Sequence, residues 1–424
     1  MKINKLVMTL AAAGLMIPNM AAATNGYFSH GYGIKAKGMG GAGIAYAQDA
    51  MAAATNPAGM VNVGNRIDFG LDWFNPKRKA TWTAQNGVFT DMATGDYKSG
   101  NNNFLVPEFG YNYMYNDTTS LGIVAYGNGG MNTDYGKIAI TGGTTNTYSN
   151  LEQLFIAPTV AMKLSPAHAV GVSLNLVYQT FEARGLQGFT THSDSPNEVT
   201  DKGKDTSIGA GIKLGWAGQV SPNVTLGATY QSKTRMSKVD KYKGLMAEQG
   251  RFDVPETYGI GIAVKTDPKV TVAADIVQIN YSSIKSLANP GIQFPLVAGT
   301  PLGSNNGSGY GWKDMTVYKL GVVYAYNQDL TLRAGYNYGK MPLTENNTLF
   351  NILAPATVEQ HLTFGATWIL ADKAELSVSY MHGFSKGING PINGVGGSGG
   401  GAVGYPVNLE MNQNSLGIAY GWKM

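Results

Sequence analysis

Few residues in this 424-residue chain could carry bond-making chemistry, and their spacing argues against it. His30, His168, His192, His361 and His382 stand apart, with no second ligand at metal-binding spacing. There is no cysteine, which excludes a disulfide framework and thiolate metal sites. No Ser/His pair is suggested by spacing. The sequence therefore predicts no catalytic residue, no metal and no cofactor. What does gather is apolar. Leu186 and Phe189 fall in one Gly/Asn/Ser-rich connection, and Met236, Tyr242, Leu245 and Met246 in another. Apolar side chains in such loops are expected to cover or hold something, and methionine adapts its shape to varied apolar partners. Loops packing on one another would account for any single one of them equally well.

The elements that position these residues follow from the ends of the chain and its periodicity. Residues 1–23 have the order of a secretory signal peptide: Lys2 and Lys5, an apolar run over 6–17 too short to span a bilayer, then Ala21-Ala22-Ala23. Cleavage is expected after Ala22 or Ala23. Residues 24–65 are rich in Gly and Ala and suit short helices and turns inside something larger, since they are too few to bury a core alone. From Arg66 to Met424 period-2 segments recur. Val170, Val172, Leu174, Leu176 and Tyr178 alternate with small or polar residues, as do Leu330, Leu332, Ala334, Tyr336 and Tyr338, and Leu416, Ile418, Tyr420, Trp422 and Met424. Charged residues are only 14 % of the chain while tyrosines number 24, a balance that fits strands facing lipid with aromatic girdles. The net charge of +4 is spread along the chain and predicts no nucleic-acid partner.

Turn signals set the strand count. Short polar turns are expected at 116–119, 165–168, 221–223, 266–269, 327–329 and 371–373. Longer connections are expected at 85–103, 128–150, 185–203, 236–250, 284–312, 340–355 and 386–406. Six short turns alternating with seven long loops join fourteen strands. The predicted class is all-β: a fourteen-stranded antiparallel transmembrane barrel over 66–424, with a small helical hatch over 24–65 in its lumen. Its predicted place is the outer membrane of a Gram-negative bacterium, crossed many times, with lipid and lipopolysaccharide around a monomer. Pro107, Pro158, Pro255 and Pro355 recur in a weak repeat and are expected to mark strand starts or bulges near the outer rim.

Four stretches then carry a resemblance to the FadL/TodX family of outer-membrane channels for hydrophobic compounds. They are Gly38-Met39-Gly40-Gly41-Ala42 leading to Asn56-Pro57-Ala58; Ala125-Tyr126-Gly127-Asn128-Gly129-Gly130-Met131-Asn132-Thr133; Gly311-Trp312-Lys313-Asp314; and Val378-Ser379-Tyr380-Met381-His382-Gly383. The resemblance implies passive transport of a hydrophobic small molecule, with no enzymatic step. The molecule would be captured by extracellular loops, held in a lumenal pocket, released by hatch movement, and passed sideways through a gap in the wall. It places that gap at Gly127, Asn128, Gly129 and Gly130, where the third strand would kink inward. Gly38, Gly40, Asn56, Pro57 and Ala58 would belong to the hatch and its anchor. Leu186, Phe189, Met236, Tyr242, Leu245 and Met246 would line the capture groove. A family arginine that faces a fatty-acid carboxylate aligns with Arg184 if one gap is allowed; otherwise Arg184 is a rim charge for Glu182 or lipopolysaccharide phosphate. The family's second basic contact aligns with Ser308, which leaves room for a neutral hydrocarbon. Met424 stands where such barrels usually end in Phe. A general hydrophilic porin, or a surface adhesin or phage receptor, are the alternative readings.

Overall fold

A computed structural model describes residues 25–82, 95–138, 141–291, 300–390 and 407–424, so the signal-peptide reading of residues 1–23 lies outside the described residues. Fourteen long strands form the wall: β1 (Arg66–Trp82), β2 (Phe104–Met114), β3 (Thr119–Asp134), β4 (Tyr148–Lys163), β5 (His168–Arg184), β6 (Asp205–Ser221), β7 (Val224–Gln231), β8 (Thr257–Asp267), β9 (Val270–Ile279), β10 (Met315–Ala325), β11 (Leu330–Gly339), β12 (Gln360–Ile369), β13 (Glu375–Ile388) and β14 (Val407–Lys423). Each pairs antiparallel with its neighbours, and β1 meets β14 from Arg66↔Lys423 to Trp82↔Val407, so the sheet closes. Two short strands, Gly95–Lys98 and Arg235–Met236, add to β1 and β6. Closure follows from the sequence pattern. A sheet with one apolar face and no second layer must hide its edge groups, and a barrel in lipid does so by pairing the first strand with the last.

The alternation sorts the two faces. Val172, Leu174, Leu176 and Tyr178 of β5 point outward while Ser173 and Asn175 are fully buried inside. Leu416, Ile418 and Trp422 repeat this on β14. Outward tyrosines and tryptophans gather near the two ends of the wall: Tyr115, Tyr326, Trp368 and Trp422 by the short turns, Tyr230, Tyr258, Tyr318 and Tyr338 by the long loops. Among the described residues no helix is long and apolar enough to cross a membrane.

All six short turns fall where expected. Two expectations change. The loop predicted at 128–150 shrinks to 135–147, because the backbone past Gly127 keeps its ladder to β4 up to Asp134↔Tyr148. Of the four prolines, Pro158 lies deep in β4 rather than near the outer rim. There it pairs with Ile123 on one side, while the β4–β5 ladder skips from Ile156↔Leu176 to Thr159↔Ser173. A proline has no N–H to give, so the ladder is interrupted where it stands.

Residues 25–65 fill the lumen with two four-residue helices (Ile34–Lys37 and Ala52–Thr55), a 3-10 turn (Pro57–Asn62) and irregular chain. Irregular backbone leaves N–H groups without partners, and wall carboxylates supply acceptors for them. Glu108 accepts from Gly33 N (3.1 Å) and Ile34 N (2.8 Å), Asp275 from Gly43 N (2.8 Å) and Ile44 N (3.1 Å), and Asp68 from Ala50 N (2.9 Å). Two ion networks add to this. Lys37 meets Asp72 at 2.8 Å and Glu108 at 3.7 Å. Lys35 and Arg66 share Glu375, and Arg66 also holds Asp68.

Candidate functional site

The wall is incomplete between β2 and β3. Their ladder runs from Met114↔Ser120 to Glu108↔Tyr126 and stops. Beyond it, among the described strands of the wall, residues 104–107 of β2 pair only with β1, and residues 127–134 of β3 only with β4. At the same place β3 shifts register, from Gly127↔Leu154 to Gly129↔Gln153, which leaves Asn128 as an extra residue. Such a bulge bends a strand and re-aims a side chain. Asn128 here is buried, with its Nδ2 donating to Gln153 Oε1 at 3.1 Å.

The start of the described chain is seated on this kink. Phe28 forms an antiparallel bridge with Gly129; Gly130 N donates to Tyr27 O and Ser29 N to Asn128 O, both at 3.0 Å. Tyr32 donates its hydroxyl to Asn128 Oδ1 at 2.8 Å. A side chain at Gly129 would put its Cβ 1.8 Å from Tyr27 O, so only glycine permits this approach.

Above the seat lies an aromatic cluster. The Tyr27 ring is 5.6 Å from Tyr281, 6.1 Å from Trp312 and 6.2 Å from Phe252 between ring centres. The cluster continues through Tyr310 and Phe350 to Phe189, and Tyr242 stands edge-on to Phe181 at 5.0 Å. The structure brings all six predicted apolar loop residues, Leu186, Phe189, Met236, Tyr242, Leu245 and Met246, into one buried cluster with these rings. None is more than 6 % exposed, so in this conformation they cover one another and cap the barrel instead of opening a groove. Sequence reasoning missed Phe252, Tyr281, Tyr310 and Phe350. Tyr310 and Phe350 carried the same signal as the residues it found, apolar side chains in long connections, whereas Phe252 and Tyr281 lie just outside the connections expected at 236–250 and 284–312. Trp312, known only from its motif, donates Nε1 to Asn351 Oδ1 at 2.6 Å.

Arg184 is apart from this cluster. Its side chain is half exposed, its Nε donates to Glu182 Oε1 at 2.8 Å, and its guanidinium lies 4.6 Å from the Tyr148 ring centre.

The base of the hatch is tightly specified. Asn56 Oδ1 accepts from Ala58 N (3.1 Å) and caps the 3-10 turn that Pro57 opens, while its Nδ2 donates to Ile44 O (2.6 Å) and Trp216 O (2.9 Å). Gly215 of β6 leaves room for it, since a Cβ there would lie 2.0 Å from Asn56 Oδ1. Gly38 presses on Gly365 of β12, and Gly40, at φ 71°, donates its N–H to Thr363. Asn56→Ala removes the cap and leaves buried carbonyls unpaired. It is expected to weaken hatch docking by about 2–3 kcal/mol, read as faster hydrogen exchange over 42–62 with the wall strands unchanged.

These features can be set beside known proteins. Residues 20–421 match the family described as outer membrane protein transport protein (OMPP1/FadL/TodX). The long-chain fatty acid transport protein of Escherichia coli (strain K12) is 22 % identical over 417 residues, covering 86 % of this chain and 88 % of that one. The fold is also that of the Pseudomonas putida toluene transporter TodX, with a TM-score of 0.67 at 19 % identity over 93 % of this chain and 99 % of that one. A Pseudomonas aeruginosa FadL homologue gives a TM-score of 0.68 at 15 % identity, covering 94 % and 99 %. With a closed fourteen-stranded barrel and a family match over nearly its whole length, the chain belongs to the OMPP1/FadL/TodX family of outer-membrane transport proteins.

Proposed function

We propose that this outer-membrane transporter of hydrophobic compounds releases its cargo sideways, through the break between β2 and β3, when the N-terminal segment leaves its seat. The observation that carries the reading is the seat itself. The wall lacks a ladder beyond Glu108↔Tyr126, and the backbone of Tyr27, Phe28 and Ser29 occupies that place. Cargo caught among Leu186, Phe189, Met236, Tyr242, Leu245 and Met246 would move down into the aromatic cluster, displacing Tyr27 and Phe28. It would then leave past Gly127, Asn128, Gly129 and Gly130. Residues 24–65 act as the hatch once residues 1–23 have been removed, with Gly38, Gly40, Asn56, Pro57 and Ala58 as its fixed base. No energy source is needed, because apolar surface moves from water to lipid down its own gradient. The closed sheet with its apolar exterior suits a monomer surrounded by lipid and lipopolysaccharide.

On this reading the cargo is a long-chain fatty acid or an aromatic or aliphatic hydrocarbon; the relatives are named for a long-chain fatty acid and for toluene. Uptake of a labelled long-chain fatty acid and a labelled monoaromatic hydrocarbon, by cells lacking their own channel of this class, tests the reading. Fatty-acid uptake lost in Arg184→Ala would make Arg184 a ligand. Hydrocarbon uptake indifferent to that change would leave it a rim charge on Glu182. Uptake of neither probe, together with a large steady water-filled conductance, would mark a hydrophilic porin and defeat the proposal.

A further inference from the structure

Three lysines crowd the outer face of the wall where β1 nears the long-loop end of the barrel. Lys77 and Lys79 are outward positions of β1, two residues apart on one face. Lys98, of the short strand Gly95–Lys98, stands directly opposite Lys79 in the ladder. Like charges directly opposite one another weaken a strand pair. Asp96 answers one of the three, meeting Lys79 at 2.8 Å. The other carboxylate here is Glu410, opposite Lys79 on β14. It accepts from the Ser385 hydroxyl at 2.5 Å and forms no ion pair among the described residues. Lys77 and Lys98 are exposed and, among the described residues, form no salt bridge. Other cations of the outer rim are paired: Arg184 with Glu182, Lys204 with Glu152 and Lys386 with Glu359.

The three lysines border a hollow of about 300 Å³, shared with Ser99, Asn102, Asn412 and Glu410. Below it the wall is apolar. Tyr380, Leu416, Trp73 and Leu105 are neighbours in register across β13, β14, β1 and β2, and all four are outward and exposed. An outward tryptophan marks the membrane interface. Lys77 is four residues beyond Trp73, about 14 Å along the strand. The lysines therefore stand at the height of lipid head groups, and the row below them at the height of acyl chains. That row is three strand spacings across, about 14 Å, broader than the two chains of a phospholipid.

We propose that Lys77, Lys79 and Lys98 bind a phosphate of lipid A, the membrane anchor of lipopolysaccharide, whose several acyl chains pack on the row from Tyr380 to Leu105. A lysine ammonium has three N–H donors, and its hydrogen bonds to phosphate are charge-assisted. A phosphate set among the three ammoniums also relieves the repulsion between Lys79 and Lys98. The site faces lipid and lies outside the lumen through which cargo moves. The inference rests on the outer-membrane placement of the chain and not on the side exit proposed above.

The test compares lipid A carrying two phosphates with the same lipid A carrying one. Dissociation constants are measured by native mass spectrometry on the purified full chain in neutral detergent, with heat-modifiable gel mobility confirming a folded barrel. The wild type is expected to bind the doubly phosphorylated form roughly tenfold or more tightly. In Lys77→Gln/Lys79→Gln/Lys98→Gln the two constants converge, and in Lys77→Arg/Lys79→Arg/Lys98→Arg the preference is kept. Trp73→Ala should weaken both forms alike and leave their ratio unchanged. A preference that survives the triple glutamine variant would overturn the site, as would equal wild-type affinities for the two forms. Phosphatidylglycerol bound as tightly as lipid A would overturn the choice of ligand. No uptake is measured, so failure here leaves the side exit untouched, and failure of the side exit leaves this site standing.

Discussion

A disulfide between cysteines placed at Val106 and Gly127 is expected to stop uptake, and a reductant to restore it. The two positions flank the break in the wall, just beyond the last β2–β3 pair, Glu108↔Tyr126: Val106 two residues past Glu108 and Gly127 one past Tyr126. A Cβ on Gly127 would lie 2.9 Å from Val106 Cγ1, which puts two cysteine side chains within bridging reach. The natural chain has no cysteine, so the bridge would form without competing thiols. Stapling residues 106 and 127 continues the wall where the ladder ends and leaves the rest of the sheet alone. If cargo leaves sideways, uptake in the oxidised form falls by roughly tenfold or more and recovers on reduction. The quantity measured is initial uptake rate against the fraction of bridged protein. Full uptake through fully bridged protein would rule out the side exit and send the cargo along the barrel axis.

That prediction depends on a feature only half legible in the sequence. The run Gly127, Asn128, Gly129, Gly130 announced a weak place in a strand, but the sequence alone would end the strand there as readily as kink it. The structure keeps the strand and takes away one of its two neighbours. What decides between these is the fit of Tyr27 O against Gly129, a contact between residues about a hundred positions apart. The wall itself was legible because lipid imposes a period of two at every strand, and short polar turns punctuate it. β1 opens at Arg66. The loop cluster was legible as apolar but not as a cap or a groove, since Phe189 and Phe350 meet only once the barrel is closed. The lumenal charges were not legible at all. Lys213, Lys319, Asp275 and Glu375 sit at inward positions of ordinary strands, and only closure decides which of them meet the hatch.

The hatch ion network gives the second large effect. Lys37→Met is expected to undock the hatch while the barrel stays folded. Lys37 is 3 % exposed and stands between Asp72 and Glu108, which are themselves buried. Burial alone would pull its pKa down, but Asp72 and then Glu108 outweigh this and hold it above the ordinary lysine value. The cation is therefore present at neutral pH, and its contribution is lost only as the pH climbs through that raised value. Methionine keeps the apolar stem and removes the charge, leaving two buried carboxylates with no counter-charge. Breaking such a pair from one side costs about 3–5 kcal/mol. The wall does not share this cost equally. Its ladders lie in the strands, whereas Glu108 also holds Gly33 N and Ile34 N, so relief comes by releasing residues 33–37. Limited proteolysis should then cut within 31–65 in the variant and not in the wild type, and channel recordings should show a leak. The heat-modifiable gel shift of the barrel should not change. Unaltered protection of 31–65 would mean that Asp68, Asp275 and Thr363, which receive hatch N–H groups at other points of the wall, hold it without the ion pair. Asn56→Ala combined with Lys37→Met would then separate the two kinds of anchor, because their residues share no partner and their effects should add.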